Sequence, residues 1–277
     1  MNAVLVTGAS TGIGYATSLL LAQEGYLTYA GVRTEEDAQR LRAAHHNIRA
    51  VLLDVRHRTD VTQTLSAIGE SGVPLYAVVN NAGIAVAGPL EYLPLDEVHR
   101  QFDVNVFGAL AVTQAALPLL RRSHGRIIFM SSVSGQIAPP MLGPYAASKF
   151  ALEAMADSLR MELARFDISV SVIQPGNVKT PIWEKGRRAK DELMAHMPAR
   201  AHEHYGAAVE TLVRVTEREE RTGIEPDEVA RTVVTVLRAQ HPRARYPVGN
   251  PPGWQRRFAA LHPEHLRDRL ILRNMRD

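Results

Sequence analysis

The sequence predicts an α/β fold, a doubly wound parallel sheet, and three observations lead there. Short β-rich runs alternate with helical stretches over the first two-thirds of the chain. The β-rich runs are nearly continuous Val, Ile, Leu, Ala and Tyr with little polar alternation, as expected of strands buried on both faces. The 277 residues, 45% of them hydrophobic, supply enough apolar surface to cover such a sheet.

Taken in order, strands are expected over 3–6, 27–31, 49–53, 76–79, 126–130 and 169–173. Helices are expected over 13–24, 35–44, 60–68, 95–120 and 145–166. Strand–helix–strand repetition with right-handed crossovers gives the doubly wound arrangement. Thr34 followed by Glu35, Glu36 and Asp37 reads as an N-cap with acids in the first turn. Pro94-Leu95-Asp96 opens the long fourth helix. After Pro181 the pattern changes, and residues 183–221 are helical, highly charged and dotted with Trp183, Met194, Met197 and Tyr205. Such a long excursion between two core elements predicts a substrate lid over 181–224 within a single domain of residues 1–277. The core resumes with a helix start at 225–229, a seventh strand over 243–248, and two short closing helices.

Composition narrows the function. The chain has no cysteine, which excludes a disulfide framework, thiol catalysis and cysteine-ligated zinc. The apolar run at the N-terminus is about five residues and reads as a strand, neither a signal peptide nor a membrane span. The stretch 108–120 is broken by Thr113, Gln114 and Pro118 and reads as a buried helix end. The expectation is a cytoplasmic protein without an integral membrane segment. Net charge is +3, and 243–277 carries eight arginines against three acids. No nucleic-acid motif accompanies them, so this tail reads as a solvated or interface-forming face.

Chemistry first appears in the turn after the first strand. In Val4-Leu-Val-Thr-Gly-Ala-Ser-Thr-Gly-Ile-Gly14, Gly8 permits a tight turn, Gly12 admits a pyrophosphate to backbone amides, and Gly14 lets the helix pack on the strand. The helix N-terminus offers free N–H groups and partial positive charge to phosphates. With Ser10, Thr11 and Ile13 in the same turn, this is a Rossmann-type dinucleotide site. At the end of the second strand, Val32 stands where an acid would hold the ribose hydroxyls of NAD. Arg33 follows, and a guanidinium suits a 2′-phosphate, so the expected cofactor is NADP(H).

The ordered set of motifs resembles the short-chain dehydrogenase/reductase family. It runs Thr7-Gly8-x-x-x-Gly12-x-Gly14, Asp54, Asn80-Asn81-Ala82-Gly83, Asn105, Ser132, Tyr145-x-x-x-Lys149, then Pro175-Gly176 with Thr180 beyond. Ser132 precedes Tyr145 by thirteen residues, the family's usual interval. The resemblance is firm over residues 1–180; beyond that, 175–183 and 243–249 resemble the 17β-hydroxysteroid and retinol dehydrogenase branch more loosely. It implies an oxidoreductase acting on a small-molecule carbonyl or alcohol, lipophilic in that branch. It also implies a homodimer or homotetramer formed through the helices at 95–120 and 145–166.

Residue types explain the chemistry. Carbonyl reduction needs a hydride on carbon, which a nicotinamide supplies, and a proton on oxygen from a group within hydrogen-bond reach. Tyr145 and Lys149 are four apart on a helix and share a face, so the ammonium can favour the phenolate. The resemblance implies that Lys149 also binds the nicotinamide ribose. Ser132 would polarise the substrate oxygen, and Asn105 would hold a water that relays protons. For the cofactor it implies Asp54 on the adenine amino group, beside Val55, and the 81–83 backbone against the adenosine ribose. Pro175 and Gly176 would shape the nicotinamide pocket, with Val178 and Thr180 on its carboxamide. Candidate substrate walls are Ser132, Ser134, Gln136, Ile137, Met141, Leu142 and Trp183. Their largely apolar character suits an apolar substrate. His202 and His204 find no third ligand, and no metal is expected. Three rivals weigh against this reading: a non-catalytic NADP-binding regulator, a sugar-nucleotide epimerase, and a nucleic-acid or membrane-surface binder using the arginine tail.

Overall fold

A computed structural model describes residues 1–195, 197–249, 268–269 and 271–272. Its seven strands are β1 Ala3–Val6, β2 Leu27–Val32, β3 Ile48–Leu52, β4 Leu75–Asn80, β5 Arg126–Met130, β6 Ser169–Pro175 and β7 Arg245–Val248. They form one parallel sheet in the order β3-β2-β1-β4-β5-β6-β7. Alternate strand side chains enter opposite cores. Val4 and Val6 pack with Leu21, Leu41 and Val233 from α1 Gly12–Gln23, α2 Glu35–Ala44 and α9 Pro226–Arg238. Ala3 and Leu5 face the other layer, with Leu65, Val112 and Leu152 from α3 Arg58–Glu70, α5 Ala109–Ser123 and α6 Gly143–Leu163. Both faces are covered, which is why the strands lack polar alternation.

The chain turns from β1 toward β2 on one side and resumes at β4 on the other. That reversal opens a crevice at the carboxyl ends of the strands, where ligands bind in this architecture. Gly8, Asn81 and Ser132 all stand just beyond strand ends facing it.

Several expectations need correction. The helix anticipated over 95–120 is α4 Leu95–Phe102, a π-helical turn Asp103–Gly108, and then α5. The wide turn carries Asn105, and a Cβ on Gly108 would lie 2.6 Å from Val55 Cγ2, so the helix here presses against the loop after β3. The stretch Leu95–Ser123 is long and apolar enough to cross a membrane by length and composition, and 44% of its most apolar window is buried inside the structure. Its buried polar residues Gln101, Asn105 and Thr113 bond back to the protein. The sixth strand extends to Pro175 because it pairs with β7, and β7 begins at Arg245, two residues later than anticipated.

The charged stretch after Pro181 forms α7 Pro181–Ala195 and α8 Ala199–Thr222, the latter entered through Pro198. Its two ends are tied together: Val178 bridges Ile224, Lys179 N donates to Ile224 O at 3.0 Å, and Ile224 N donates to Asn177 O at 2.9 Å. The chain therefore leaves the sheet and returns at one point. The two closing helices, and all of the arginine tail beyond Arg245 except Arg269, lie outside the described residues.

Candidate functional site

The crevice holds a cavity of about 270 Å³. At one end lies the turn after β1. Gly8 has φ +65°, and a Cβ on Gly14 would stand 2.2 Å from Gly8 O and 2.5 Å from Asn81 Nδ2. The loop thus coils so tightly that only hydrogen fits, leaving the start of α1 open to the cavity. Asn81 fixes this coil: its Nδ2 donates to Thr7 O and Gly8 O, each at 3.0 Å. Thr7 Oγ1 accepts from the Asn81 and Ala82 amides, also at 3.0 Å. Gly8, Ser10, Thr11, Gly12, Ile13, Gly14, Asn81, Ala82 and Gly83 all line the cavity.

Arg33, just past β2, lines the same end, and no hydrogen bond or ion pair holds its guanidinium among the described residues. Asp54 and Val55 line it from the loop after β3. Asp54 is already engaged, because Arg56 Nη2 donates to its Oδ2 at 2.7 Å and Arg56 Nε to Oδ1 at 3.0 Å. That grip draws the Asp54 carboxyl down to about 2. Arg56 and Arg100 also line the cavity and were not singled out from sequence. Neither belongs to a motif; the loop after β3 and helix α4 bring them there.

At the other end Ser132 follows β5, and Tyr145 and Lys149 lie on α6, which Pro144 opens. All three are buried and line the cavity. Burial raises the Tyr145 phenol above its ordinary value, and a hydrogen bond with Ser132 pulls it back. Lys149 Nζ sits 5.6 Å from the Tyr145 ring centroid and donates to Met130 O at 2.8 Å. Burial draws Lys149 itself down to about 8, against the attraction of Glu153.

Asn105 does not reach this group directly. Its Oδ1 accepts from Ile84 N at 2.9 Å, and its Nδ2 donates to Ile84 O and Ser148 Oγ at 3.1 Å. Ser148 Oγ donates to Tyr145 O at 2.7 Å, so Asn105 ties the loop after β4 to helix α6. Pro175, Gly176, Val178 and Thr180 line the far wall, and a Cβ on Gly12 would approach Thr180 Cγ2 to 3.0 Å.

The anticipated substrate wall is only partly assembled. Ser132 and Trp183 line the cavity, and the Trp183 ring meets Tyr145 edge-on with centroids 6.0 Å apart. Leu142 lines a smaller neighbouring slot. Ser134, Gln136, Ile137 and Met141 stand outside both. Ser134 lies behind Ser132, to whose Oγ its amide donates at 3.1 Å. The carbonyl of Met141 is turned to Gly88 N at 2.8 Å. Ser131, whose Oγ is buried without a partner among the described residues, lines the cavity instead.

A family model described as short chain dehydrogenase matches residues 2–191. Retinol dehydrogenase 5 of Mus musculus is 35% identical over 97% of this chain and 86% of its own length. The NADPH-dependent 3-dehydrocapnine reductase of Ornithobacterium rhinotracheale is 32% identical over 100% of this chain and 98% of its own. Among solved structures, a short-chain dehydrogenase from Streptomyces avermitilis superposes with a TM-score of 0.77 at 24% identity, covering 97% of this chain and 94% of that one. With the glycine turn and the Ser132, Tyr145 and Lys149 group in one crevice, and with this coverage by family and relatives, the chain belongs to the short-chain dehydrogenase/reductase family of oxidoreductases.

Proposed function

We propose that the protein interconverts a lipophilic ketone and its alcohol using NADP(H), with Tyr145 as the proton donor and acceptor. The observation that carries this reading is that one cavity joins the glycine cradle to Ser132, Tyr145 and Lys149. The cradle fits a dinucleotide because the space a Cβ would fill at Gly14 is closed by Gly8 and Asn81, which leaves backbone amides for phosphates. Arg33, with no protein partner described, supports the 2′-phosphate and so NADP(H) over NAD(H). A relative named as NADPH-dependent points the same way.

When bound, the nicotinamide supplies or takes the hydride. The chain's own groups handle the proton. Burial keeps the Tyr145 phenol protonated, which suits a donor in the reducing direction. Ser132, which lines the same cavity, brings a second donor for the carbonyl oxygen. Lys149, at about 8, stays largely charged near neutrality and offers its remaining N–H groups to the nicotinamide ribose. Asn105 and Ser148 fix the backbone of α6 at Tyr145. Asp54, held by Arg56, would meet the adenine, and Val178 and Thr180 would hold the carboxamide. Helices α7 and α8 form a lid over 181–224, supported by the closed stem at Val178 and Ile224. The exposed side chains Phe107 on the π turn and Phe150 and Met161 on α6 support self-association there.

The test is NADPH oxidation against a panel of steroids, retinoids, aryl ketones and short sugars, with wild type and Tyr145→Phe side by side. Tyr145→Phe should lower turnover by about 10²- to 10⁴-fold with NADPH affinity unchanged. Full turnover by the variant would sink the acid–base role, and activity restricted to sugar nucleotides would point to an epimerase.

A further inference from the structure

The loop after β3 puts a hydrogen-bond donor and an acceptor side by side on the wall of the main cavity. Asp54 and Arg56 both line it. Their side chains chelate each other: Arg56 Nη2 donates to Asp54 Oδ2 at 2.7 Å, and Arg56 Nε to Oδ1 at 3.0 Å. The Arg56 backbone N–H adds a bond to Oδ1, also at 3.0 Å. The guanidinium is thus pinned to a carboxylate that itself lines the cavity, and the charge of Asp103 on the π turn attracts it from farther off. Val55 and Val104 supply apolar wall at the same end.

A carboxylate offers about four acceptor sites and a guanidinium five N–H donors. Oδ1 spends its share on Arg56 N and Nε, whereas Oδ2 takes Nη2 and only the longer reach of Nε, at 3.2 Å. Acceptor capacity therefore remains on Oδ2. Nη1 has no partner among the described residues, so donor capacity remains beside it.

The edge of an adenine presents a 6-amino donor next to the N1 acceptor. Hypoxanthine presents the reverse, a 6-oxo acceptor next to an N1–H donor. A carboxylate alone accepts from the first and repels the second. A carboxylate joined to a guanidinium satisfies both, because the two partners exchange which of them meets position 6.

We propose that the Asp54–Arg56 pair makes the crevice indifferent to the 6-substituent of the purine, so that it takes a dinucleotide carrying hypoxanthine in place of adenine. This rests on the dinucleotide reading above, which puts the base at Asp54. Arg56 then cancels a discrimination that Asp54 would impose by itself. Selection of the cofactor falls to its phosphates, at the glycine turn and Arg33.

The test is calorimetry on the full chain without substrate, comparing NADP⁺ with nicotinamide hypoxanthine dinucleotide phosphate. Wild type should bind the two within about threefold of each other. Arg56→Met strips the donor and leaves the carboxylate facing the 6-oxo group, so the hypoxanthine compound should weaken by about 10- to 100-fold relative to NADP⁺. Asp54→Ala leaves the guanidinium alone and should tip the ratio the other way, toward the 6-oxo base. A wild type that prefers adenine by about tenfold or more overturns the inference. So does a ratio that Arg56→Met leaves unmoved, or that Asp54→Ala moves toward adenine. Both of these outcomes occur with NADP⁺ bound and leave the dinucleotide reading standing. Binding of neither dinucleotide would overturn that reading, and the inference with it.

Discussion

Arg245 on β7 donates Nε to Glu153 Oε2 at 2.9 Å, and so clamps a buried carboxylate that lies one helical turn beyond Lys149 on α6. Gln174 Nε2 binds the other oxygen at 2.9 Å, and Arg245 also holds both oxygens of Asp157, at 3.0 and 2.7 Å. Glu153 is the group whose charge raises Lys149 against burial. The last strand thus fixes the carboxylate that favours the charged form of Lys149. Glu153→Gln removes that charge while Arg245 keeps Asp157. The Lys149 ammonium should then lose its proton below about 8, and the alkaline limb of kcat/KM should move to lower pH. A profile of unchanged shape with uniformly lower activity would mean Glu153 only supports packing.

Lys149 makes a second, opposite prediction for stability. Its folded value of about 8 lies below the ordinary 10.5, so the unfolded chain binds more protons between those values. Stability of the wild type should therefore rise as pH climbs from 8 to 10.5, and the cost of burying the charge is fully present below 8. Lys149→Met removes that cost, about 3 kcal/mol by the shift, and loses the bond to Met130 O, which offsets part of it. The variant should be inactive yet more stable than wild type at neutral pH, with the difference shrinking toward pH 10.5. Chemical denaturation across that range is the check, and a less stable variant at pH 7 contradicts it.

The 2′-phosphate reading makes Arg33 the residue that sets the cofactor preference. Arg33→Ala should weaken NADPH by about 10- to 100-fold, the worth of a charge-assisted contact, and leave NADH within about twofold. Fluorescence titration of both cofactors separates the outcomes. Equal loss for both would assign the arginine to the shape of the loop.

Gly14→Ala tests the cradle. The new methyl would meet backbone oxygen at 2.2 Å and the Asn81 amide at 2.5 Å, neither of which can yield without uncoiling the loop. The overpacking should cost about 1–3 kcal/mol in unfolding free energy and abolish tight dinucleotide binding. A variant of wild-type melting temperature that still binds NADPH would show that the loop tolerates a wider coil.

The comparison of sequence with structure divides along the range of the forces involved. Continuous apolar runs, the Thr34 cap and the glycine turn are local, and each lay within a residue or two of its place. The cap is an example: Thr34 Oγ1 accepts from Asp37 N at 3.2 Å, three residues on. The order of Ser132, Tyr145 and Lys149 after their strands was equally legible, because a parallel sheet brings all its strand ends to one edge.

The sequence by itself therefore determined the fold, the family and the glycine turn, Ser132, Tyr145 and Lys149 gathered at the crevice. Only the tertiary structure decided their electrical state and the shape around them. Lys149 is drawn down by burial among residues far away in the chain, and its amine turns to Met130. The helix opens into a π turn at Asn105 because Ile84 and Ser148 claim the side chain from 21 and 43 residues away. Ser134, Gln136 and Met141 follow β5 closely in sequence, yet the chain carries them out of the cavity, whereas Arg187 arrives at the neighbouring slot from α7. Periodicity and spacing encode short-range preference; desolvation and the partner a buried group finds depend on everything that packs around it.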